Sequence, residues 1–528
     1  MDTRLAGKKA ESDKIHGLMS QPSLFSSRIS RVLALLILFS TAFAIRLYDL
    51  TDLPLDFHPT RQLLSAIKAR ALYFQTQPNG YSTEELERGI YLAKLKATVE
   101  PVVFERLVAF TYRFTGEKVW IARIYSSLFW LIGGVFLFLL AQDLVSFEGA
   151  LVSTTYYLIF PYAIIASRSF QPDILMVMLI ISFWWAFARW MRLAVDTSPA
   201  GRGARARAAV LAGLLGGLAL FIKFTAAFFV IGAALGLALL RFRFRDLFRN
   251  GQVWLIASLG ALPAMLYLIY GLFIKGTMGG QFAGRFIPAL LLNPFNYLQW
   301  ITKADVAAGG IFIMLALLGF LFINNQSLRG LLTGLWISYV LYGLFFDYHI
   351  ATHDYYQLPF IPIVALSLAP LGNELFARLS ASALRRYQRN AVYTLLLFGA
   401  FTVVWNVRNQ MKATDYRPQA AMYAEVGELL NDGTVIALTQ DYGSRLEYWG
   451  GKTSLTWPYV GDLTYSQARG VGFSFERLFE RYSSKRDFFL VTDFDELRRQ
   501  PDLEEWLSHY PVIASANGYI IYQLKPQQ

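Results

Sequence analysis

About eleven apolar stretches run along the 528-residue chain, at positions 31–48, 119–140, 148–166, 173–193, 208–222, 224–240, 252–273, 306–323, 330–346, 357–377 and 391–407, and nearly all of the charged residues are pushed into the gaps between them. A helix crosses about 30 Å of hydrocarbon with roughly 20 residues, a length most of these stretches approach. No alternating ten-residue pattern of a barrel strand is present, so the backbone must satisfy its own hydrogen bonds as helices. The pattern predicts an α-helical polytopic membrane protein with about eleven spans.

The stretches at 208–222 and 224–240 are separated only by Lys223, so they read either as one long helix or as a hairpin. Charge decides between them, because short cytoplasmic loops collect Lys and Arg. Arg4, Lys8, Lys9, Lys14, Arg28 and Arg31 precede the first span, Arg202, Arg205 and Arg207 follow the fourth, Arg241, Arg243, Arg245 and Arg249 follow the sixth, and Arg378, Arg385, Arg386 and Arg389 follow the tenth. A hairpin at Lys223 puts all four clusters on one side. The basic tail 1–30 is then cytoplasmic, with 31–48 a retained anchor rather than a cleaved signal, and 31–407 forms the membrane domain.

This map expects the outer face to receive a long first loop (49–118), a second loop (274–305) and the segment 408–528. Within the first loop, Pro59–Phe74 and Ser82–Ala97 have the mixed periodicity of helices lying along the interface. The carboxy-terminal segment alternates strand-like runs (Val435–Thr439, Phe488–Thr492, Ala514–Leu524) with helical ones (Gln419–Leu430, Asp493–His509), which predicts a small extracytoplasmic α/β domain. The Gly/Ala/Arg-rich patch Ser198–Ala209 is expected to be a cytoplasmic loop.

Composition changes the picture little. A net charge of +12 could signal nucleic acid, but the excess lies beside apolar stretches, where topology explains it. The chain contains no cysteine, which excludes disulfides and thiolate metal sites. No Gly-rich phosphate loop is present, which argues against an ATP-driven pump.

Three acidic residues fall on the outer rim: Asp56 just beyond the first span, Glu100 before Pro101, and Asp173 after Pro172. Carboxylates beside hydrocarbon are costly, and by default they mark function. Glu100 and Asp173 also suit helix amino termini on dipole grounds alone. Arg61, Arg168 and Lys223 are the outer cations suited to a phosphate, although a snorkelling anchor explains each one as well. His349 and His353 are spaced i, i+4, next to Asp354; a shared divalent metal is the one cofactor this leaves open, while hydrogen bonding to substrate or backbone is the favoured reading. The pair lacks the Glu of a metalloprotease motif.

These residues, taken in order, resemble the GT-C superfamily of membrane glycosyltransferases. The resemblance rests on the acid after the first span, the Glu100-Pro101 that leads into Phe104-Glu105-Arg106 and Ala122-Arg123, the Arg168…Pro172-Asp173 and Leu220-Phe221-Ile222-Lys223 segments, and His353-Asp354-Tyr355-Tyr356 before Leu358-Pro359. It is strongest with bacterial relatives of protein O-mannosyltransferases and aminoarabinose transferases, and it covers most of 31–377. It implies an enzyme of the cytoplasmic membrane that moves a hexose or pentose from a polyprenyl-phosphate carrier to a lipid, glycan or protein acceptor outside. On that reading Asp56 is the base, Glu100 and Asp173 shape the sugar and acceptor site, and Arg168 and Lys223 face the phosphate. His58, Arg61, His353, Tyr355 and Tyr356 complete the substrate contacts. Counting back from Ala69-Arg70, the family's usual Asp-Glu pair falls at Arg61-Gln62. That difference keeps a catalytically altered, glycolipid-binding member open beside the transferase, and a glycolipid transporter or flippase is the third reading.

Overall fold

The computed structural model describes residues 25, 27–96, 99–193, 198–239, 244–276, 278–279, 285–381, 386–468, 470–472 and 474–525. The tail cations Arg4, Lys8, Lys9 and Lys14, together with Ala97, Arg241, Arg243 and Arg385, lie outside the described residues.

Helices occupy all eleven apolar stretches, but not all of them are full-length spans. Among the described residues, eight are long and apolar enough to cross a membrane: α1 (Arg28–Leu47), α5 (Trp120–Leu144), α8 (Pro172–Leu193), α9 (Pro199–Ile222), α11 (Gly251–Ile269), α14 (Gln326–Phe345), α15 (Phe360–Ala381) and α16 (Arg386–Lys412). A ninth results if α12 (Pro294–Ala308) and α13 (Gly310–Gly319) are counted as one span bent by 86° at Gly309. Gly309 has a φ of 75°, which ends the first helix. The stretch 148–166 is broken into α6 (Phe147–Ile159) and α7 (Pro161–Ala166), because Pro161 holds Phe160 extended. The helix α10 (Ala226–Leu239) is short.

The turn at Lys223 is a hairpin. Gly216 in α9 and Val230 in α10, each seven positions from Lys223, lie side by side, with a Cβ on Gly216 falling 3.5 Å from Val230 Cγ1. A continuous helix would carry these positions about 20 Å apart. Against α14, α10 packs through small residues. A Cβ on Gly232 would lie 1.8 Å from Ser338 Oγ, and one on Gly334 would lie 2.1 Å from the Gly232 carbonyl. Gly232 and Gly236 thus meet Gly330, Gly334 and Ser338 at the four-residue spacing that allows membrane helices to touch backbone to backbone. On the periphery, Ile37 of α1 and Leu397 and Phe398 of α16 are exposed apolar residues, as lipid-facing helices require.

The patch Ser198–Ala209 is not a loop. Ser198 Oγ caps Gly201 N at 3.0 Å, Pro199 takes the first helical position, and the alanines extend α9 through it. In the first loop, α2 (Pro59–Phe74) and α3 (Thr83–Leu95) form where expected, the latter started by a capping box between Ser82 and Glu85. A third helix, α4 (Val103–Thr115), returns the chain to α5.

The carboxy-terminal unit has a five-stranded sheet in the order β2-β1-β3-β5-β4, from Val435–Leu438 (β1), Leu455–Thr456 (β2), Phe488–Val491 (β3), Val512–Ala516 (β4) and Tyr519–Gln523 (β5). The first three strands run parallel, and the hairpin β4–β5 adds antiparallel to β3. Alternate residues of β1 enter opposite cores: Val435 and Ala437 pack with Tyr423 and Val426, while Ile436 and Leu438 pack with Trp457 and Phe479. The run Ala514–Leu524 is therefore two strands, divided at Asn517-Gly518, and Asp493–His509 is two short helices divided before Pro501.

The unit is joined to the first loop by ion pairs, one of them partly buried and one at the surface. Arg70 Nε donates to both Glu117 oxygens at 2.8 and 3.0 Å, and its guanidinium lies 3.6 Å from the centre of the Tyr448 ring. The Tyr448 hydroxyl donates to Glu117, and Arg70 donates to the Tyr448 carbonyl. Lys96 meets Glu447 at 2.5 Å, and Arg417 meets Asp49 at 2.5 Å.

Candidate functional site

Four charged side chains from distant parts of the chain converge at one rim of the membrane domain. Arg61 stands on the first turn of α2, Glu100 on the connection to α4, Asp173 on the first turn of α8, and Lys223 between α9 and α10. Arg61 Nη2 is 3.0 Å from Glu100 Oε1 and 3.9 Å from Asp173 Oδ2. Lys223 Nζ is 2.7 Å from Asp173 Oδ1 and 4.0 Å from Glu100 Oε1. Each cation thereby faces both anions. Tyr355 and Tyr356, on the short turn Asp354–Gln357, present their rings to the cations: Lys223 Nζ lies 5.4 and 5.3 Å from the two ring centres, and Arg61 lies 5.8 Å from that of Tyr355.

Burial and charge oppose each other here. Burial pushes the Glu100 carboxyl up, but Arg61 and Lys223 outweigh it and hold it at about 2. Burial likewise works against the Arg61 charge, and Glu100, Tyr355 and Asp173 raise it well above its ordinary value. Glu100 and Arg61 are therefore charged at any physiological pH. The cluster also retains free capacity: among the described residues, Arg61 Nε and Asp173 Oδ2 are buried with no hydrogen-bond partner. Such orphans are costly in an apolar rim unless a ligand takes them up.

Lys68 and Glu105, which carried no role in the sequence reading, form a buried layer beneath the cluster. Ser65 Oγ donates to Glu105 Oε1 at 2.8 Å. Burial pushes Glu105 up and Lys68 down, with each partly restoring the other's charge. A lysine on the buried face of α2, in line with Ser65, was the available signal.

Asp56 and Arg168 belong to a neighbouring group. Asp56 Oδ1 accepts from Arg123 Nη2 at 3.0 Å and from Gln62 Nε2 at 3.3 Å, and Arg168 Nη1 is 3.9 Å from Oδ2. Arg168 is 1% exposed and donates to the carbonyls of Tyr48 and Asp49 at 2.8 and 3.1 Å. Gln62 joins this group to the turn before α8, as its Oε1 accepts from Phe170 N at 2.9 Å. Arg123, which the motif Ala122-Arg123 contained without a role, is the pivot of the group.

The histidines line the far side of Tyr355. His58 pairs with Asp354 and packs edge-on against Tyr355, with ring centres 4.8 Å apart. His353 Nδ1 meets Thr352 Oγ1 at 2.7 Å, and its ring stacks with His349 at 5.7 Å. Burial pushes both His349 and His353 down to about 4, helped by His353, Arg285 and Lys223 for the first and by His58, Lys303 and Arg61 for the second, so both are neutral at pH 7. Among the described residues, no group of three or more His, Asp or Glu stands close enough to hold a metal ion.

The structure of ArnT from Cupriavidus metallidurans in the apo state is similar over 94% of this chain and 100% of that one, with a TM-score of 0.53 and 14% identity. The chain has the GT-C fold of membrane glycosyltransferases. The same enzyme bound to undecaprenyl phosphate matches 93% of this chain and 99% of its own, with a TM-score of 0.51 and 14% identity. The archaeal oligosaccharyltransferase AglB from Archaeoglobus fulgidus, in complex with an inhibitory peptide and a dolichol-phosphate, shares the GT-C fold over 94% of this chain and 74% of its own, with a TM-score of 0.50 and 12% identity. The family described as dolichyl-phosphate-mannose-protein mannosyltransferase matches residues 99–270, a range that contains Glu100, Asp173 and Lys223. No curated protein matches the chain.

Proposed function

We propose that this protein transfers a sugar from a polyprenyl-phosphate carrier to an acceptor on the outer side of the cytoplasmic membrane. The cluster of Arg61, Glu100, Asp173 and Lys223 carries this reading. A carrier lipid holds its phosphate at the level of the rim, where Arg61 and Lys223 supply the positive charge. When the bond between the anomeric carbon and the phosphate oxygen breaks, phosphate charge grows from one towards two, and the same cations stabilise it in a low-dielectric site. Glu100 and Asp173 accept hydrogen bonds from sugar hydroxyls, for which Asp173 Oδ2 has a free lone pair. Two of the similar structures hold undecaprenyl phosphate and dolichol-phosphate, ligands of this chemistry.

The outer location follows from charge. Arg202, Arg205 and Arg207 lie on the opposite end of α9 from Lys223, and Arg28 and Arg31 begin α1, whose other end leads to the rim. The tendency of short cytoplasmic segments to collect arginine supports an outer position for the cluster. The carboxy-terminal unit, anchored to Asp49 and the first loop, stands over the same rim, where an acceptor would approach.

The deciding experiment uses purified protein in nanodiscs with radiolabelled undecaprenyl-phosphate-linked and dolichyl-phosphate-linked sugars and an envelope extract of the source cell. Covalent transfer that is lost in Lys223→Ala supports the reading. Movement of the labelled lipid across proteoliposomes without a covalent product overturns it in favour of a flippase, and binding of donor without transfer overturns it in favour of a glycolipid-binding member.

A further inference from the structure

His58 is held in a conformation that a residue in its position rarely adopts. It caps α2 with φ 44° and ψ 65°, in the left-handed region, and it directly precedes Pro59. The proline ring favours an extended conformation for the residue before it, so this geometry persists only because the surroundings fix it. The His58 carbonyl accepts from Arg61 N at 2.9 Å and Gln62 N at 3.3 Å, which ties its backbone to α2. Its ring is wedged between Phe57, 4.7 Å away, and Tyr355, with Nε2 against Asp354 Oδ1. Nδ1 bonds no protein atom among the described residues, and the side chain remains 28% exposed.

We propose that His58, oriented by Asp354, is the general base that takes the proton from the acceptor hydroxyl. This rests on the transferase reading above. The other carboxylates at the rim each face a cation. The Asp56 oxygens face Arg123, Gln62 and Arg168; Asp173 lies against Lys223; and Glu100, held at about 2, is a poor match for a base that works best near the ambient pH. His349 and His353, at about 4, are weak bases as well. His58 alone combines a free ring nitrogen with an open path and a carboxylate behind it, the arrangement by which an acid fixes a tautomer and stabilises the imidazolium that forms.

The step balances as follows. The acceptor O–H bond breaks and its proton goes to His58 Nδ1, while Nε2–H stays bonded to Asp354. The acceptor oxygen bonds to the anomeric carbon as the bond from that carbon to the phosphate oxygen breaks. The electron pair leaves with the phosphate, which passes from phosphodiester to monoester facing Arg61 and Lys223. Tyr355 touches His58 on one side and both cations on the other, so a sugar lying along its ring has the proton acceptor and the leaving group at opposite ends.

The test compares wild type with His58→Ala, His58→Gln and Asp354→Asn, using full-length protein in nanodiscs, the labelled undecaprenyl-phosphate sugar that wild type accepts, and the envelope extract. The base role predicts a kcat loss of about 10²–10⁴-fold in both His58 variants. It also predicts donor KM within about threefold of wild type and partial rescue of His58→Ala by added imidazole. Asp354 is a positioning residue; its Asn variant loses less in kcat than either His58 variant at unchanged donor KM, and Asp354→Glu, which keeps a carboxylate behind the ring, recovers part of that loss. Besides Asp354, the groups facing this pair are Tyr355, Tyr162, His353, Arg61 and Lys303, none of which is altered in these variants. Retention of activity within tenfold in either His58 variant overturns the assignment, as does an inactive His58→Ala that binds undecaprenyl phosphate normally and is not rescued by imidazole. Absence of transfer by wild type overturns the underlying reading instead.

Discussion

Lys223 Nζ lies 2.7 Å from Asp173 Oδ1, joining the hairpin between α9 and α10 to the first turn of α8, with both side chains nearly sealed from solvent. Removing one partner strands the other charge in a rim that cannot solvate it. Lys223→Met is expected to destabilise the fold by about 3–5 kcal/mol, and the double variant Lys223→Met/Asp173→Leu to recover most of that loss without recovering activity. Thermal unfolding in detergent and the transfer assay measure the two effects separately.

Glu100 makes stability depend on acid in a defined window. Its folded value of about 2 lies below its ordinary 4.5, so its contribution is fully present above pH 4.5 and is lost as the pH falls towards 2. Arg61→Gln removes its nearest cation and brings its folded and unfolded values closer together. The thermal midpoint measured from pH 6 to 3 should therefore fall less steeply in Arg61→Gln, and in Glu100→Gln, than in wild type.

The contact between α10 and α14 leaves no room for a side chain. Gly334→Leu would push a Cβ within 2.1 Å of the Gly232 carbonyl and is expected to cost about 3 kcal/mol or more, with loss of monodisperse protein on size exclusion. Gly399→Ala on α16, where nothing lies within 4 Å, is the comparison that should gain about 0.5–1 kcal/mol.

Arg70 shares its Nε–H between both Glu117 oxygens, donates Nη1 to the Tyr448 carbonyl and lays its planar guanidinium over the Tyr448 ring, a combination that a lysine ammonium cannot reproduce. Arg70→Lys keeps the charge and loses the geometry, at a cost on the order of 2 kcal/mol. Limited proteolysis between 408 and 418 should then release the carboxy-terminal unit faster than in wild type.

Hydropathy placed a helix at every apolar stretch, and the charge asymmetry identified the hairpin at Lys223, because lipid and topology act on long segments that composition records directly. The bends were less visible. Pro161 is written in the chain and explains the break at Phe160, but the 86° turn at Gly309 depends on the packing around it. The Asn517-Gly518 turn was an unread hairpin signal inside Ala514–Leu524. At the site, residue type singled out Glu100, Asp173, Arg61 and Lys223, while the grouping of Asp56 with Arg123 and Arg168 depended on contacts across as many as 112 positions that no local pattern encodes. Asp354 stood in a quoted motif, yet its pairing with His58, 296 positions away, is a product of the fold.

The rim cluster holds two positive and two negative charges and so sums to zero, which gives an arriving phosphate no excess attraction to fall into. On the proposed function its entry would be an exchange, in which the phosphate displaces a carboxylate from Arg61 or Lys223 and the displaced carboxylate needs a new donor. A sugar's hydroxyls provide that donor, and a bare carrier does not. If the protein is the transferase proposed above, a loaded carrier brings its own partner for the displaced carboxylate, and the ion pairs that re-form after transfer favour release of the spent one.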